Sequence, residues 1–287
     1  MLRLGILGVG TIGYRVAQAC AKGEIPYQLA AVLDPDAEKR ARTRALVANL
    51  HSADDLSDLL RESDVVVEAA ASSAVPALIE KAQNLWKLES EAEERLENVI
   101  ENTGIVTQAR SQGLRQEIKR LEIAQHIVVM SVGGLLDVNL DADGPVIHAP
   151  SGALGGLDAI QAMAIAGLDE VTLTTRKPPA GLGMDVTEET LLFEGSAREV
   201  IAKYPKNVNV AVALSLAGIG PDLTRVRLVA DPAITRNTHH VVARGAAGEV
   251  EFTSRNVPSP DNPATSYLAA LSAIALLKKL ASRLQVG

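Results

Sequence analysis

The chain has few aromatic side chains and one cysteine. Four Tyr, two Phe and one Trp stand among 287 residues, so Leu, Val, Ile and Ala must supply most of the core. Because Cys20 is the only cysteine, an intrachain disulfide, a cysteine-rich metal site and a CxxC redox pair are excluded. We therefore expect no metal, and the lone thiol favours a reducing compartment, the cytoplasm.

The chain also has no basic stripe and no long apolar run. Its 28 Lys and Arg stand against 35 Asp and Glu, a net charge of −7, which argues against nucleic acid as a partner. No run of the roughly 18 apolar residues that a membrane helix needs occurs, and the first residues lack the charged segment of a signal peptide. We expect a soluble protein without membrane contact.

The composition is that of a globular protein, with 47% hydrophobic and 22% charged residues over a length that suits two domains. In the first half, helical segments alternate with apolar strands at 2–7, 27–33, 65–70, 126–131 and 146–150. This alternation predicts an α/β fold with a parallel, doubly wound sheet in a dinucleotide-binding domain over residues 1–150.

A charged segment from about 84 to 125 interrupts this pattern. Apolar positions recur there at helical spacing, beside six acidic residues between Glu89 and Glu101. We predict an antiparallel helical pair that breaks near Gly104 or Gly113 and serves packing or interaction rather than catalysis.

The second half changes to a period of two. Alternating apolar residues at 225–228 and 249–253, with a turn at 245–248, predict an antiparallel sheet in a second, substrate-binding domain over 151–260. The segment 261–287 predicts a buried C-terminal helix packed back on the first domain, with Asn262 as its N-cap and Pro263 at its first position.

A glycine-rich turn joins the first strand to the first helix. Gly8, Gly10 and Gly13 have the spacing that lets the backbone turn tightly, lets a pyrophosphate approach and lets helix and strand pack closely. Asp34 ends the second strand, where a carboxylate accepts hydrogen bonds from the adenosine ribose and repels a 2′-phosphate.

These residues predict a nicotinamide dinucleotide as cofactor. Asp34 favours NAD, and the nearby Arg40 and Arg42 could soften that preference toward NADP. The predicted binding set is Gly8, Gly10, Thr11, Ile12, Gly13 and Asp34.

Five histidines occur, at positions 51, 126, 148, 239 and 240. His239 and His240 begin a predicted strand, so their side chains point to opposite faces and only one of them can face a cleft. A histidine titrates near neutral pH and suits a general base. The residues alone leave either member of the pair open.

Three further polar segments are candidate ligand contacts. Asn207 and Asn209 precede an apolar helical run, where an Asn either caps the helix or contacts a ligand. The turn 151–156 either presents backbone N–H groups to a carboxylate or a nicotinamide amide, or is a simple loop. Arg176 and Lys177 end a predicted strand, where they either bind a substrate carboxylate or are exposed to solvent.

Seven motifs in the second half resemble the L-aspartate dehydrogenase family. They are PSGALGGLDA at 150–159, TTRKP at 174–178, FEGSA at 193–197, PKNVNV at 205–210, VADP at 229–232, NTH at 237–239 and NPATS at 262–266. The glycine turn and VEAA at 67–70 extend the resemblance into the first half. The segment 84–125 is longer, and the stretch 131–150 shorter, than is usual in the family.

The resemblance implies a Rossmann domain, then an α/β domain with a mostly antiparallel sheet, and a homodimer. It implies oxidation of L-aspartate to iminoaspartate with NAD or NADP, and the reverse reductive amination. The imine would feed NAD biosynthesis or hydrolyse to oxaloacetate and ammonia. The family's catalytic histidine falls on His239, and its cofactor contacts fall on Ala153 and Asn209. The predicted substrate contacts are Arg176, Lys177, Ser151 and Asn237.

Three alternatives remain beside this interpretation. The same fold could work mainly as an iminosuccinate reductase that makes aspartate, or the chain could be a non-catalytic NAD(H)-binding sensor. A semialdehyde oxidoreductase would need a cysteine nucleophile, and Cys20 lies in the first helix facing the core, which argues strongly against it.

Overall fold

A computed structural model describes residues 1–103, 122–204 and 209–286, with only the backbone of 95–103 and 263–264. The chain divides into two compact units, Met1–His148 and Ala149–Gly287. In the described part of the chain, no helix combines the length and the apolar character needed to cross a lipid bilayer.

The first unit is built on a six-stranded sheet in the order β3-β2-β1-β4-β5-β6. The strands are β1 Leu2–Leu7, β2 Tyr27–Leu33, β3 His51–Ser52, β4 Val65–Glu68, β5 His126–Val129 and β6 Val146–His148. All of their pairings are parallel. The predicted doubly wound parallel sheet is confirmed, and its inner strands are apolar because helices cover both faces of such a sheet.

The helices of the first unit are α1 Thr11–Ala21, α2 Ala37–Arg44, α3 Leu56–Arg61 and α4 Val75–Thr103. Aspartates cap two of them, since the side chain of Asp36 accepts from backbone N–H groups at the start of α2 and Asp55 does so for α3. Helix α4 runs without a break through the first arm of the predicted insert. The second arm lies outside the described residues.

The second unit has a five-stranded sheet in the order β11-β10-β7-β9-β8. Its strands are β7 Leu168–Lys177, β8 Thr190–Ser196, β9 Arg225–Ala230, β10 Asn237–Gly245 and β11 Gly248–Asn256. Only β7 and β9 pair in parallel, so the prediction of a mostly antiparallel sheet is confirmed. Strand β8 was not predicted.

Four helices are described in the second unit: α5 Leu157–Ala166, α6 Ala197–Lys203, α7 Asn209–Ala217 and α8 Tyr267–Leu280. Its core forms where one face of the sheet meets α5 and α7. Leu173 and Val241 of the sheet are fully buried there with Ile160 and Leu214 of those helices. The side chains of β7 and β10 therefore alternate between this core and the opposite face.

The predicted start of the C-terminal helix is wrong. Asn262–Ser266 forms strand β13, which pairs with β12 (Pro258–Ser259), and α8 begins at Tyr267 with Ser266 as its N-cap residue. The Asn-Pro pair signals a helix start locally, but pairing with β12 holds this segment extended. The packing of α8 against the first unit stays a prediction.

Candidate active site

The turn between β1 and α1, residues 8–13, is held by contacts that only glycine permits. Gly8 has a φ of +84°, and a Cβ added to it would lie 2.6 Å from the Cα of Ala70. A Cβ added to Gly13 would lie 1.9 Å from the carbonyl oxygen of Gly8. The packing of the protein itself therefore requires glycine at positions 8 and 13.

Gly10 differs from Gly8 and Gly13 because no atom lies within 4 Å of the position that its Cβ would take. It precedes the first turn of α1, to which no side chain supplies a capping hydrogen bond and in which no acidic residue occurs. The N–H groups of Thr11 and Ile12 belong to that first turn. This cradle fits the pyrophosphate of a dinucleotide, which needs close backbone approach and free N–H donors.

Asp34 holds the glycine turn in place. Its side chain is 5% exposed, and its Oδ2 accepts a hydrogen bond of 2.8 Å from the N–H of Val9. Its Oδ1 accepts one of 2.9 Å from the N–H of Asp36. Each oxygen keeps a second lone pair, so the carboxylate can still accept from ribose hydroxyls.

Two arginines lie beside this carboxylate. Arg40 donates to the carbonyl oxygen of Asp34. Arg42 donates to the carbonyl oxygen of Val9 at 3.3 Å, and its guanidinium stacks 3.8 Å from the centre of the Tyr14 ring. Both a carboxylate for the ribose and cations for a 2′-phosphate therefore lie at the end of β2.

Strand β10 separates the two adjacent histidines. His239 is 4% exposed and faces the helix-covered side of the sheet, whereas His240 faces the other side, where its Nδ1 lies 3.0 Å from Thr253 Oγ1. His239 is directly opposite Thr175 of β7 and Ser254 of β11. We call the side that carries His239 the histidine face.

His239 is held in an apolar setting. Its Nδ1 lies 3.0 Å from the Oγ1 of Thr175, a side chain that is only 3% exposed. Burial, and then the charge of Lys177, lower the pKa of His239 to about 4. The pKa of His239 therefore lies below the near-neutral value of an ordinary histidine. At neutral and alkaline pH its imidazole is neutral and keeps a lone pair, although the lowered pKa makes it a weaker base than an ordinary histidine.

The two cations at the end of β7 lie on opposite faces. Lys177 follows Thr175 by two residues and shares the histidine face. Burial lowers its pKa to about 8. Arg176 lies on the other face, where its guanidinium is 3.7 Å from Asp231 and 3.4 Å from Glu189. The structure thus brings Lys177, and not Arg176, to the side of His239.

The turn 151–156 docks at the same end of the sheet. The carbonyl oxygen of Ala153 accepts from Ser254 Oγ at 2.9 Å and from Asn256 Nδ2 at 3.0 Å. Ser254 is directly opposite His239, and Asn256 is directly opposite Asn237. Ala153, Asn237 and His239 therefore lie close together.

Sequence reasoning missed Thr175, Ser254 and Asn256. Strand register brings each of them to the site. Thr175 and Ser254 lie opposite His239 in the two neighbouring strands, and Asn256 lies opposite Asn237. Knowing that β7, β10 and β11 are neighbours would have identified them, but the sequence pattern does not provide that pairing.

The other predicted contacts stand as follows. Asn209 is the exposed first residue of α7, the helix that packs on the histidine face, and Asn207 lies outside the described residues. Ser151 is half-buried, and its carbonyl oxygen accepts from the N–H of Leu154 at 3.1 Å. The side chains of Ser151 and Asn209 remain predicted contacts.

Cys20 does not have the properties of a nucleophile. Burial raises the pKa of its thiol to about 12, so the reactive thiolate is scarce at any working pH. Among the described residues, no group of three or more His, Cys, Asp or Glu side chains could hold a metal ion.

We predict that alanine at Gly13 will mainly lower stability, whereas alanine at Gly10 will mainly weaken cofactor binding. Gly13→Ala places a Cβ against the Gly8 carbonyl and should lower the melting temperature strongly. Gly10→Ala has free space and should change stability by less than about 1 kcal/mol, yet weaken NADH binding by about tenfold or more. Thermal melting and NADH fluorescence titration measure both. Unchanged NADH affinity in Gly10→Ala would contradict the role of the cradle.

Two family models match the chain. One, described as "Aspartate dehydrogenase, C-terminal", matches residues 158–280. The other, described as "Homoserine dehydrogenase, NAD binding domain", matches residues 8–88.

Curated proteins named L-aspartate dehydrogenase are similar to the chain along its full length. The protein from Methanosarcina barkeri is 35% identical over 308 aligned residues, and that from Methanocella arvoryzae is 37% identical over 307. Both alignments cover 100% of each chain.

The crystal structure of aspartate dehydrogenase from Thermotoga maritima has a TM-score of 0.70 to this chain, with 22% identity and 100% coverage of both chains. At that identity the likeness shows the fold, and the full-length relatives above 30% identity show the family. The chain belongs to the L-aspartate dehydrogenase family.

Proposed function

We propose that the protein oxidises L-aspartate to iminoaspartate with a nicotinamide dinucleotide, and catalyses the reverse reductive amination. The observation that carries this proposal is a buried, neutral His239 that shares one sheet face with Lys177. Family membership supports the substrate, since the full-length relatives are named L-aspartate dehydrogenase.

The imidazole of His239 acts as the base. A hydride can leave the Cα of aspartate only when the amine nitrogen has a free lone pair, so the ammonium must first lose a proton. The nicotinamide ring, when bound, supplies the hydride acceptor. In this proposal Nδ1 of His239 carries the ring hydrogen and donates it to the Oγ1 of Thr175, so that Nε2 has the lone pair that takes the amine proton. The imine product is released, or is hydrolysed to oxaloacetate and ammonia.

Lys177 binds a substrate carboxylate in this proposal. A substrate with two carboxylates needs cationic partners, and Lys177 is the cation on the histidine face at the end of β7. Asn237 and Ser151 supply further polar contacts. Arg176, on the opposite face and next to Asp231, has no part in it.

The cofactor is proposed to be NAD, with NADP accepted less well. The supporting feature is the buried Asp34 carboxylate, which repels a 2′-phosphate, while Arg40 and Arg42 reduce that repulsion. Glycine residues 8, 10 and 13, with the N–H groups of Thr11 and Ile12, would hold the pyrophosphate. Ala153 and Asn209 complete the proposed contacts.

The first test is an assay of purified protein with L-aspartate and NAD or NADP from pH 8 to 9.5, because a higher pH leaves more of the amine neutral while Lys177 loses its charge above about pH 8. Formation of reduced cofactor should occur with aspartate and not with glutamate, alanine or malate. No turnover of aspartate despite measurable NADH binding would overturn the proposal.

We predict that His239→Ala lowers turnover by about two decades or more, because the base is lost, and leaves NADH affinity nearly unchanged. His240→Ala is the matched control, since it removes the neighbouring imidazole from the opposite face, and should keep near-normal turnover. A slow His240→Ala variant beside an active His239→Ala variant would contradict the assignment.

We predict that Lys177→Met moves the acid limb of the kcat/KM profile to higher pH. Removing a nearby positive charge favours protonated imidazole, so the pKa of His239 should rise from about 4, while burial still holds it below the ordinary value. Steady-state kinetics from pH 4 to 9 measure the shift, and Lys177→Arg, which keeps the charge, should leave the limb in place. An unshifted limb in Lys177→Met would show that the charge of Lys177 does not act on His239.

A further inference from the structure

Glu68, the last residue of β4, is a fully buried carboxyl group with no part in the proposed reaction. Its exposed fraction is 0%. Among the described residues it forms no salt bridge, although burying an uncompensated charge costs several kcal/mol.

Backbone N–H groups from two loops hold this carboxylate. Its Oε1 accepts from the N–H of Ala70 at 2.8 Å, in the loop after β4. Its Oε2 accepts from the N–H of Ser131 at 2.9 Å, in the loop after β5. Burial raises the pKa of Glu68, and these donors oppose that rise. Two donors aimed at two oxygens suit an ionised carboxylate.

The position of Glu68 in the sheet brings it to the dinucleotide site. Strands β1 and β4 are neighbours at the point where the strand order reverses, and a dinucleotide binds outside the carboxyl ends of the strands there. Gly8, in the turn after β1, packs against Ala70, so closely that a Cβ on Gly8 would be 2.6 Å from the Cα of Ala70. Through the N–H of Ala70, the Glu68 carboxylate therefore holds the loop against which the glycine turn packs.

The two halves of the sheet would serve different parts of the cofactor. The first half, with Asp34 at the end of β2, would receive the adenosine. The second half, β4 to β6, would then receive the nicotinamide. The oxidised nicotinamide ring carries one positive charge and the reduced ring carries none. A buried negative charge therefore acts on one oxidation state and hardly on the other.

We infer that Glu68 is a positioning residue whose charge makes the site favour the oxidised nicotinamide over the reduced one. The inference rests on the proposed cofactor and not on L-aspartate as substrate. Tighter binding of the oxidised form makes the bound couple a stronger reductant. Glu68 thus shifts the equilibrium on the protein toward hydride donation, the direction of reductive amination.

The test is the ratio of dissociation constants for NAD⁺ and NADH, measured by calorimetry on the full chain and its variants at pH 8. Glu68→Gln keeps the size of the side chain and removes its charge. We expect it to raise the ratio of the Kd for NAD⁺ to that for NADH by about threefold or more. Glu68→Asp keeps the charge and shortens the reach, so it should weaken both ligands by a similar factor and leave the ratio near that of the parent.

An unchanged ratio in Glu68→Gln, or an equal shift in Glu68→Asp, would overturn the inference and leave Glu68 a packing residue for the two loops. If Glu68→Gln does not fold, Glu68→Asp and Glu68→Asn form a second pair of equal size that differs only in charge. Failure of the parent protein to bind either nucleotide would instead count against the proposed function.

Discussion

The antiparallel pairing of β7 with β10 is the constraint on which the reactive groups of the second unit depend. It places His239 directly opposite Thr175, and the two-residue period of a strand then brings Lys177 to the same face. A slip of β10 by one residue would exchange His239 for His240, and a slip of β7 by one residue would exchange Lys177 for Arg176. The apolar residues Leu173 and Val241, which are fully buried on the same face, prevent that slip because it would expose them.

Burial then sets the chemistry of the groups that the register brings together. Burial favours the neutral forms of both Lys177 and His239, and the charge of Lys177 further disfavours protonation of His239. His239 is therefore a neutral base at every pH at which the amine of aspartate can lose its proton. In the first unit, burial acts together with backbone N–H donors, which hold the carboxylates of Asp34 and Glu68 in fixed positions.

The local hydrophobic pattern of the sequence predicted the fold well. The site residues that it missed depend on the pairing of strands that are distant in sequence. Strands β1 and β2 have the predicted bounds because each is an apolar run between turn residues. The opposite orientations of His239 and His240 followed from strand alternation alone. The roles of Thr175 and Ser254 depend on which strands are neighbours, and the low pKa of His239 depends on helices packed over it. Neither the strand order nor the burial of His239 can be predicted from a short segment of sequence.

The central claim is that the hydride leaves the Cα of L-aspartate, and deuterium at that carbon tests it most directly. Purified protein would be given L-aspartate with ²H at Cα and oxidised cofactor, and the reduced cofactor analysed by mass spectrometry. The account predicts that one deuterium appears in the reduced cofactor and that the initial rate falls if hydride transfer limits it. Reduced cofactor without deuterium would contradict the account, because the hydride would then come from another position.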